Sequence, residues 1–137
     1  ELSISTARGG RLFDVWVADT PHRQTQGLMF VRELPASQGM LFVNAQPVPA
    51  SMWMKNTYIS LDMLFIDVYG HVVRIFERTT PHSLELLSDP APVKAVLELR
   101  GGECAEAGIR VGDLVRHGIF RGPRVRIPRQ PSPTEAR

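Results

Sequence analysis

The sequence predicts a mainly β protein: a compact single-domain fold of the β-barrel or sandwich-like type with two short helices. Many short segments alternate apolar and polar residues with a period of two, as half-buried strands do. Eleven Gly and eleven Pro among 137 residues favour many short elements over a few long helices. Hydrophobic residues at 43% and charged residues at 22% are ordinary globular values, and the length suits one core.

Strands are predicted wherever this alternation, or a short apolar run, is bounded by turn-forming residues. The predicted strands cover residues 12–18, 38–43, 51–58, 62–68, 71–77 and 93–99. Residues 4–6 are the expected hairpin partner of the first strand, and Tyr69-Gly70 is predicted to be a hairpin turn. Residues 44–50 contain Pro47 and Pro49 and are predicted to form a loop.

Two short helices complete the predicted fold. Thr20 is a suitable N-cap and Pro21 a suitable first residue of a helix that runs to about Val31, because the missing N–H of proline would be unpaired there anyway. Gly27 falls inside this helix, which indicates close packing against a neighbouring group. The second helix is predicted at residues 103–108, where helix-forming residues are followed by a glycine stop.

The net charge of +2 is unevenly distributed along the chain. Residues 121–137 carry five Arg and a single acidic residue, Glu135, so the tail is basic. We therefore expect one β-rich domain at residues 1–120 and a basic proline-rich tail at residues 121–137. The tail is expected to form an edge strand from Ile119 and then to be disordered. The domain shows no basic face with interleaved aromatic residues, so no nucleic-acid partner is expected.

Several functional classes find no support in the sequence. Cys104 is the single cysteine, so no intramolecular disulfide is expected, and we interpret it as a packed residue and not a nucleophile. One Cys with four scattered His does not give zinc-ligand spacing, and we predict no metal and no cofactor. Nucleophile-elbow, Walker and zincin motifs do not occur, so no catalytic residue is assigned.

The sequence also bears on location. No apolar run is long enough for a transmembrane segment. The chain begins at Glu1 and not at Met, which fits removal of a signal peptide. We therefore expect an extracytoplasmic location, either periplasmic or secreted.

One apolar run in the middle of the chain holds the residues that could carry a function. A Lys and an Asn in such a run are costly to bury unless they have partners. A bend could return Asp62 to Lys55 as an ion pair. Alternatively, Trp53 is the apolar wall of a cleft in which nearby polar side chains hold a ligand. The candidate ligand-binding residues are Arg32, Trp53, Lys55, Asn56, Thr57 and Asp62.

The same run is the most specific part of a family resemblance. Blocks that match in order include Gly39-Met-Leu-Phe42, Trp53-Met-Lys-Asn-Thr57, Phe65-Ile-Asp67, Val96-Leu-Glu98 and Gly112-Asp113. Over about residues 12–117 the chain resembles the family catalogued as domain of unknown function 192, although that family usually has Pro where Ser60 stands. The resemblance implies a compact β-barrel-like domain and an exported protein, and it implies no activity.

Three functional hypotheses follow. We prefer an exported, non-catalytic binding or accessory module for a small polar or anionic ligand, because no nucleophile–base pair is recognisable. The alternative is an enzyme in which Lys55 and Asp62 act as a base or nucleophile pair. A purely structural polar network around the same residues is the third hypothesis. The oligomeric state is left open.

Overall fold

The computed structural model describes residues 1–122, which fold into one seven-stranded sheet and two short helices. The strands are β1 (Leu2–Thr6), β2 (Gly9–Ala18), β3 (Gln38–Met52), β4 (Leu61–Ile66), β5 (Val72–Phe76), β6 (Leu87–Arg100) and β7 (Leu114–Arg116). The helices are α1 (Pro21–Gln26), between β2 and β3, and α2 (Glu103–Ala107), between β6 and β7. The strand order across the sheet is β5-β4-β6-β3-β2-β1-β7.

The sheet curls until its two edge strands approach each other. Neighbouring strands are antiparallel except β2 and β3, which are parallel and are connected through α1. At the edges His71 pairs with Leu114 in an isolated bridge, and the Val72 N–H donates to the Asp113 carbonyl at 2.9 Å. The structure is a curled half-barrel, so the predicted mainly β, barrel-like fold with two short helices is confirmed.

The central strands are buried on both faces, so the sheet separates two apolar clusters. All six residues of β4 are buried. One cluster contains Leu41 and Leu97 together with the buried side of α2. The other contains Phe42 and Val96 and is covered by the segment after α1, which includes Leu28. Adjacent residues of a strand thus belong to opposite clusters, as the pleat requires.

The predicted bounds of β3 and β6 are wrong. Residues 44–50, predicted as a loop, continue β3. Pro47 and Pro49 lie where the pairing of β3 with β6 shifts register, and at such irregularities a missing proline N–H removes no ladder hydrogen bond. β6 begins at Leu87, earlier than the predicted strand at residues 93–99.

Helix α1 begins as predicted and ends earlier than predicted. The Thr20 hydroxyl oxygen accepts a hydrogen bond from the Arg23 N–H at 3.2 Å. Gly27 has φ +47° and ends the helix, so it does not lie inside it. A Cβ atom on Gly27 would lie 2.9 Å from the Phe42 ring, so the close packing inferred for this glycine is present at the helix end. Neither α1 nor α2, the helices of residues 1–122, has the length and apolar character needed to cross a membrane.

The edge strand predicted from Ile119 does not form at residues 119–122. The chain there forms a turn, in which the Phe120 N–H donates to the His117 carbonyl at 3.1 Å. The remainder of the predicted basic tail lies outside the described residues.

Candidate functional site

Four of the predicted site residues border one cleft. The cleft has a volume of about 470 Å³, which is within the range of small-molecule sites. One wall is formed by Trp53, Lys55, Asn56 and Thr57. The rest of the lining comes from α1, from residues 27–29 that follow it, from β3 and from one residue of β6. We call this space the Trp53 cleft.

The chain passes the cleft as a turn, so the predicted strand at residues 51–58 is wrong beyond Met52. The Thr57 N–H donates to the Met54 carbonyl at 3.1 Å, and between them Asn56 adopts φ +53°. Asn tolerates this left-handed conformation better than most residues do. The turn abolishes the alternation of faces that a strand would impose, which is why Asn56 and Thr57 border the same cleft.

Buried contacts hold this turn in place. Met54 is 1% exposed, and its N–H donates to the Ser83 carbonyl at 3.0 Å. The Met54 sulfur accepts a hydrogen bond from the Thr79 hydroxyl at 3.1 Å. The Thr57 hydroxyl donates to the Lys55 carbonyl at 3.1 Å. The side chains that border the cleft are therefore presented on a fixed backbone.

Lys55 and Trp53 form the mouth of the cleft. The Lys55 Nζ lies 5.1 Å from the centroid of the Trp53 ring, close enough for a cation–π interaction. Trp53 is 43% exposed, and Lys55 is also exposed. Within residues 1–122 Lys55 has no acidic partner. The mouth thus presents an aromatic surface and an uncompensated positive charge.

Arg32 is not among the residues that border the cleft. Its guanidinium lies 5.8 Å from the centroid of the Tyr58 ring. The Tyr58 ring packs against Phe30 and His82, with centroid separations of 6.0 Å and 5.4 Å. Arg32 therefore belongs to a separate exposed aromatic group, and the structure does not bring it into the predicted site.

Asp62 is not brought to Lys55 either. Its side chain is fully buried, and Oδ1 accepts the N–H groups of Arg78 at 2.8 Å and Gly102 at 3.1 Å. Oδ2 accepts the Cys104 N–H at 2.9 Å. These backbone donors satisfy the carboxylate without a cation. The predicted Lys55–Asp62 pair is wrong, because β4 directs Asp62 toward the start of α2.

Sequence reasoning missed Glu98, a buried acid that borders the Trp53 cleft. Glu98 is 4% exposed and lies in β6 between Met40 of β3 and Met63 of β4. No described residue forms a hydrogen bond or an ion pair with its carboxyl group. Burial raises the pKa of Glu98 from 4.5 to about 8. The acid is therefore mostly protonated at neutral pH.

A signal for Glu98 is present in the sequence. Glu98 stands between Leu97 and Leu99, at the end of a strand pattern that is apolar from Ala95 to Leu97. Interpreted as an alternating strand, this run would expose Glu98 to solvent. Here both faces of β6 are covered, so the acid lies in the apolar cluster that contains Val96.

Glu98 and Lys55 are the ionisable side chains among the described residues that border the cleft. The cleft therefore offers one buried acid, one exposed cation and several neutral polar groups beside apolar walls. Within residues 1–122 no three His, Cys, Asp or Glu side chains come close enough together to hold a metal ion.

Comparison with known proteins identifies the fold in other bacterial chains. A family model described as "Uncharacterized ACR" matches residues 3–117. One solved structure comes from Sinorhizobium meliloti 1021 and is that of a protein proposed to be a transcription regulator. It is 39% identical in sequence to this chain and superposes with a TM-score of 0.82, and the match covers 84% of this chain and 90% of that chain. A protein of unknown function from Novosphingobium aromaticivorans DSM 12444 is 35% identical with a TM-score of 0.82, covering 85% and 83%. No curated protein matches the sequence significantly.

Proposed function

The chain belongs to the DUF192 family of uncharacterised proteins, and from this premise we propose that it is a non-catalytic binding module for a small ligand in the Trp53 cleft. The ligand is small and polar at one end, where it meets Glu98. Its remaining surface contacts the apolar walls and the Lys55–Trp53 mouth. A cleft of about 470 Å³ accommodates a molecule of metabolite size.

The observation that carries this proposal is the buried Glu98 carboxyl group that borders the cleft without a partner among the described residues. The Glu98 oxygens are not among the fully buried side-chain atoms of the described residues that lack a partner, so they are open to the cleft and can bond to its contents. Acids with strongly raised pKa values are also concentrated at functional sites. A ligand that bonds to Glu98 would offset its desolvation, which favours binding as the reason for its presence.

The separation of Lys55 from Asp62 argues against the enzyme hypothesis. The Asp62 carboxylate is fully buried and accepts three backbone N–H groups, whereas Lys55 is exposed and forms no ion pair with it, so Asp62 is not placed to activate Lys55. The structural hypothesis fits Asp62 well. It does not fit Glu98, whose carboxyl group links no two segments of the described chain.

We also propose that the module works outside the cytoplasm and consists of a single domain, residues 1–120, with a basic tail at residues 121–137. The family resemblance supports the location. Cell fractionation of the native host, with cytoplasmic and periplasmic marker proteins, tests it. Recovery with the cytoplasmic marker alone would contradict the proposed location.

The two tryptophans of the chain allow a direct test of ligand binding. Trp53 borders the cleft, whereas Trp16 lies on β2, 55% exposed, and does not border it. Trp16→Phe leaves Trp53 as the single reporter, and Trp53→Phe leaves Trp16 as the matched control. A panel of amines, carboxylates, amino acids and polyols is titrated into both proteins. We expect a saturable change of emission in Trp16→Phe and none in Trp53→Phe.

A second variant pair connects the signal to Glu98. In the Trp16→Phe background, Glu98→Gln is expected to weaken binding by about tenfold or more, since the amide does not reproduce the hydrogen bonds of the carboxyl group. Glu85→Gln removes an exposed carboxylate elsewhere and leaves the affinity unchanged. The proposal fails if no compound changes Trp53 emission, or if every compound that does so binds Glu98→Gln equally well.

A further inference from the structure

Two polar side chains that border the Trp53 cleft, those of Gln24 and Thr57, use their donors within the protein. Gln24 donates from Nε2 to the carbonyls of Ala18 at 3.1 Å and Val43 at 2.6 Å. The Thr57 hydroxyl donates its proton to the Lys55 carbonyl at 3.1 Å. The donors of both side chains are therefore already hydrogen-bonded, whereas the Gln24 amide oxygen and the Thr57 hydroxyl oxygen can still accept a hydrogen bond. Gln24 and Thr57 thus have acceptor oxygens left, whereas Gln26, Ser51 and Asn56 of the same lining can donate or accept.

Glu98 differs from the other buried acids of the described chain in having no donor. Asp62 accepts three backbone N–H groups. Glu103 accepts the Ser37 N–H at 2.7 Å and a guanidinium N–H of Arg100 at 2.9 Å. The cross-strand neighbours of Glu98 are methionines, whose thioethers donate no hydrogen bond. A donor for Glu98 must therefore come from outside the described residues.

We infer that the ligand carries a small cationic donor group, an ammonium or a guanidinium, which binds Glu98 as a carboxylate inside the Trp53 cleft. This inference rests on the proposed function and narrows its ligand class. Such a group supplies several N–H donors to the Glu98 carboxylate and to the Gln24 and Thr57 oxygens, whereas an anion beside Glu98 would be repelled by its carboxylate. For each cation bound to the protonated acid, one proton leaves Glu98 for the solvent and the carboxylate pairs with the cation.

The rest of the cleft limits the remainder of the ligand. Leu28, Phe42 and Met52 provide apolar surface beside Glu98. Lys55 places a positive charge at the mouth, which repels a second cationic group. We therefore expect a compound with one cationic group, a short apolar body and a neutral or anionic far end. A polyamine does not fit this charge arrangement.

Three probes of equal length test the inference: n-butylammonium, butyrate and butyramide. Their binding is followed by Trp53 emission in the Trp16→Phe protein and by backbone amide chemical shifts of Phe42 and Thr57. At pH 9 we expect n-butylammonium to bind at least about tenfold more tightly than the other two, because it alone forms a charge-assisted pair with the Glu98 carboxylate.

The pH dependence of this binding identifies Glu98 as the partner. The pKa of Glu98 is about 8, so the proton competes with the cation at lower pH. Between pH 9 and pH 6 the affinity for n-butylammonium should fall on the order of 50- to 100-fold, as the ionised fraction falls. Glu98→Gln should bind weakly and without this dependence, whereas Glu85→Gln should behave like the parent protein.

The outcomes separate this inference from the proposed function. Butyrate binding as tightly as n-butylammonium would overturn the inference and leave a ligand-binding cleft. The inference would also be overturned if the affinity for n-butylammonium did not change with pH, or if Glu98→Gln did not reduce it. If no compound of the wider panel changes Trp53 emission, both the inference and the proposed function fail.

Discussion

The Asp62 carboxylate accepts a hydrogen bond from the Cys104 N–H at 2.9 Å, and this contact fixes the first turn of α2 to the start of β4. The first N–H groups of a helix have no partner within the helix. The N-cap residue of α2 is Gly102, which has no side chain to accept them, and Asp62 accepts the Gly102 N–H as well. A residue of β4 thus takes the role that a capping side chain usually has.

Asp62→Asn should lower the free energy of unfolding by about 2–4 kcal/mol. The amide NH₂ cannot accept a hydrogen bond, so at least one of the N–H groups of Arg78, Gly102 and Cys104 is left buried without an acceptor. Urea unfolding at neutral pH measures the change.

Two controls accompany this variant. Asp14→Asn alters an exposed carboxylate on β2, and Lys55→Met removes an exposed cation without an acidic partner in the described chain. Both should change the free energy of unfolding by less than about 0.5 kcal/mol. If Asp62→Asn and Lys55→Met lowered the free energy of unfolding equally, an interaction between Asp62 and Lys55 would be indicated. If Asp62→Asn were as stable as the wild-type protein, the capping role of Asp62 would be contradicted.

Glu98 should make the stability of the wild-type protein fall with rising pH. Its folded-state pKa of about 8 lies above the ordinary value of 4.5, because burial disfavours the charged form. The folded state therefore holds a proton that the unfolded state has already released. The resulting stabilisation is complete below pH 4.5 and is lost as the pH rises through 8.

The comparison of wild type with Glu98→Gln isolates this effect. Relative to the variant, the wild-type protein should lose roughly 2–5 kcal/mol of unfolding free energy between pH 5 and pH 9. Urea unfolding of both proteins at these two pH values measures the difference. Parallel pH profiles for the two proteins would mean that Glu98 is already charged or partnered in the folded state.

The parts of the fold that could be predicted from the sequence depend on local chemistry. Thr20 and Pro21 predict the start of α1 because capping involves neighbours in sequence. Gly108 ends α2 at φ +74°, as expected of a glycine stop. Alternation predicts most of the strands in the right places, but the strand predicted at residues 51–58 ends at Met52, and the ends of β3 and β6 depend on their pairing with each other.

The candidate site could be predicted only in part, because most of its contacts join segments that are far apart in the sequence. Trp53, Lys55, Asn56 and Thr57 come together because a single turn carries them. The partners of Asp62 lie on α2 and after β5, and no local pattern indicates which segments will meet. Glu98 is buried because the segment after α1 covers that face of β6, which is again a tertiary effect.

Cys104 should not react with thiol reagents in the folded protein. Its side chain is fully buried, and burial together with the charge of Asp62 raises the pKa of the thiol well above its usual range. The nucleophilic thiolate is therefore scarce as well as inaccessible. Labelling with an aromatic disulfide should proceed only in denaturant, with the unfolding transition. Rapid stoichiometric labelling under native conditions would show that α2 opens readily or that the site is exposed.

Substitutions at Asn56 can separate the shape of the turn from the chemistry of its side chain. At φ +53° an alanine is strained, so Asn56→Ala should lower the free energy of unfolding by about 1 kcal/mol. Asn56→Gly adopts this conformation without strain, but glycine also gives the unfolded chain more conformational freedom. These two effects offset each other, so the free energy of unfolding of Asn56→Gly should stay within about 0.5 kcal/mol of wild type.

Both variants lack the amide that borders the cleft. If that amide contacts the ligand, both should therefore weaken n-butylammonium binding by a similar factor, although only one of them is destabilised. Weakened binding in Asn56→Ala alone would assign Asn56 to the turn and remove it from the ligand contacts.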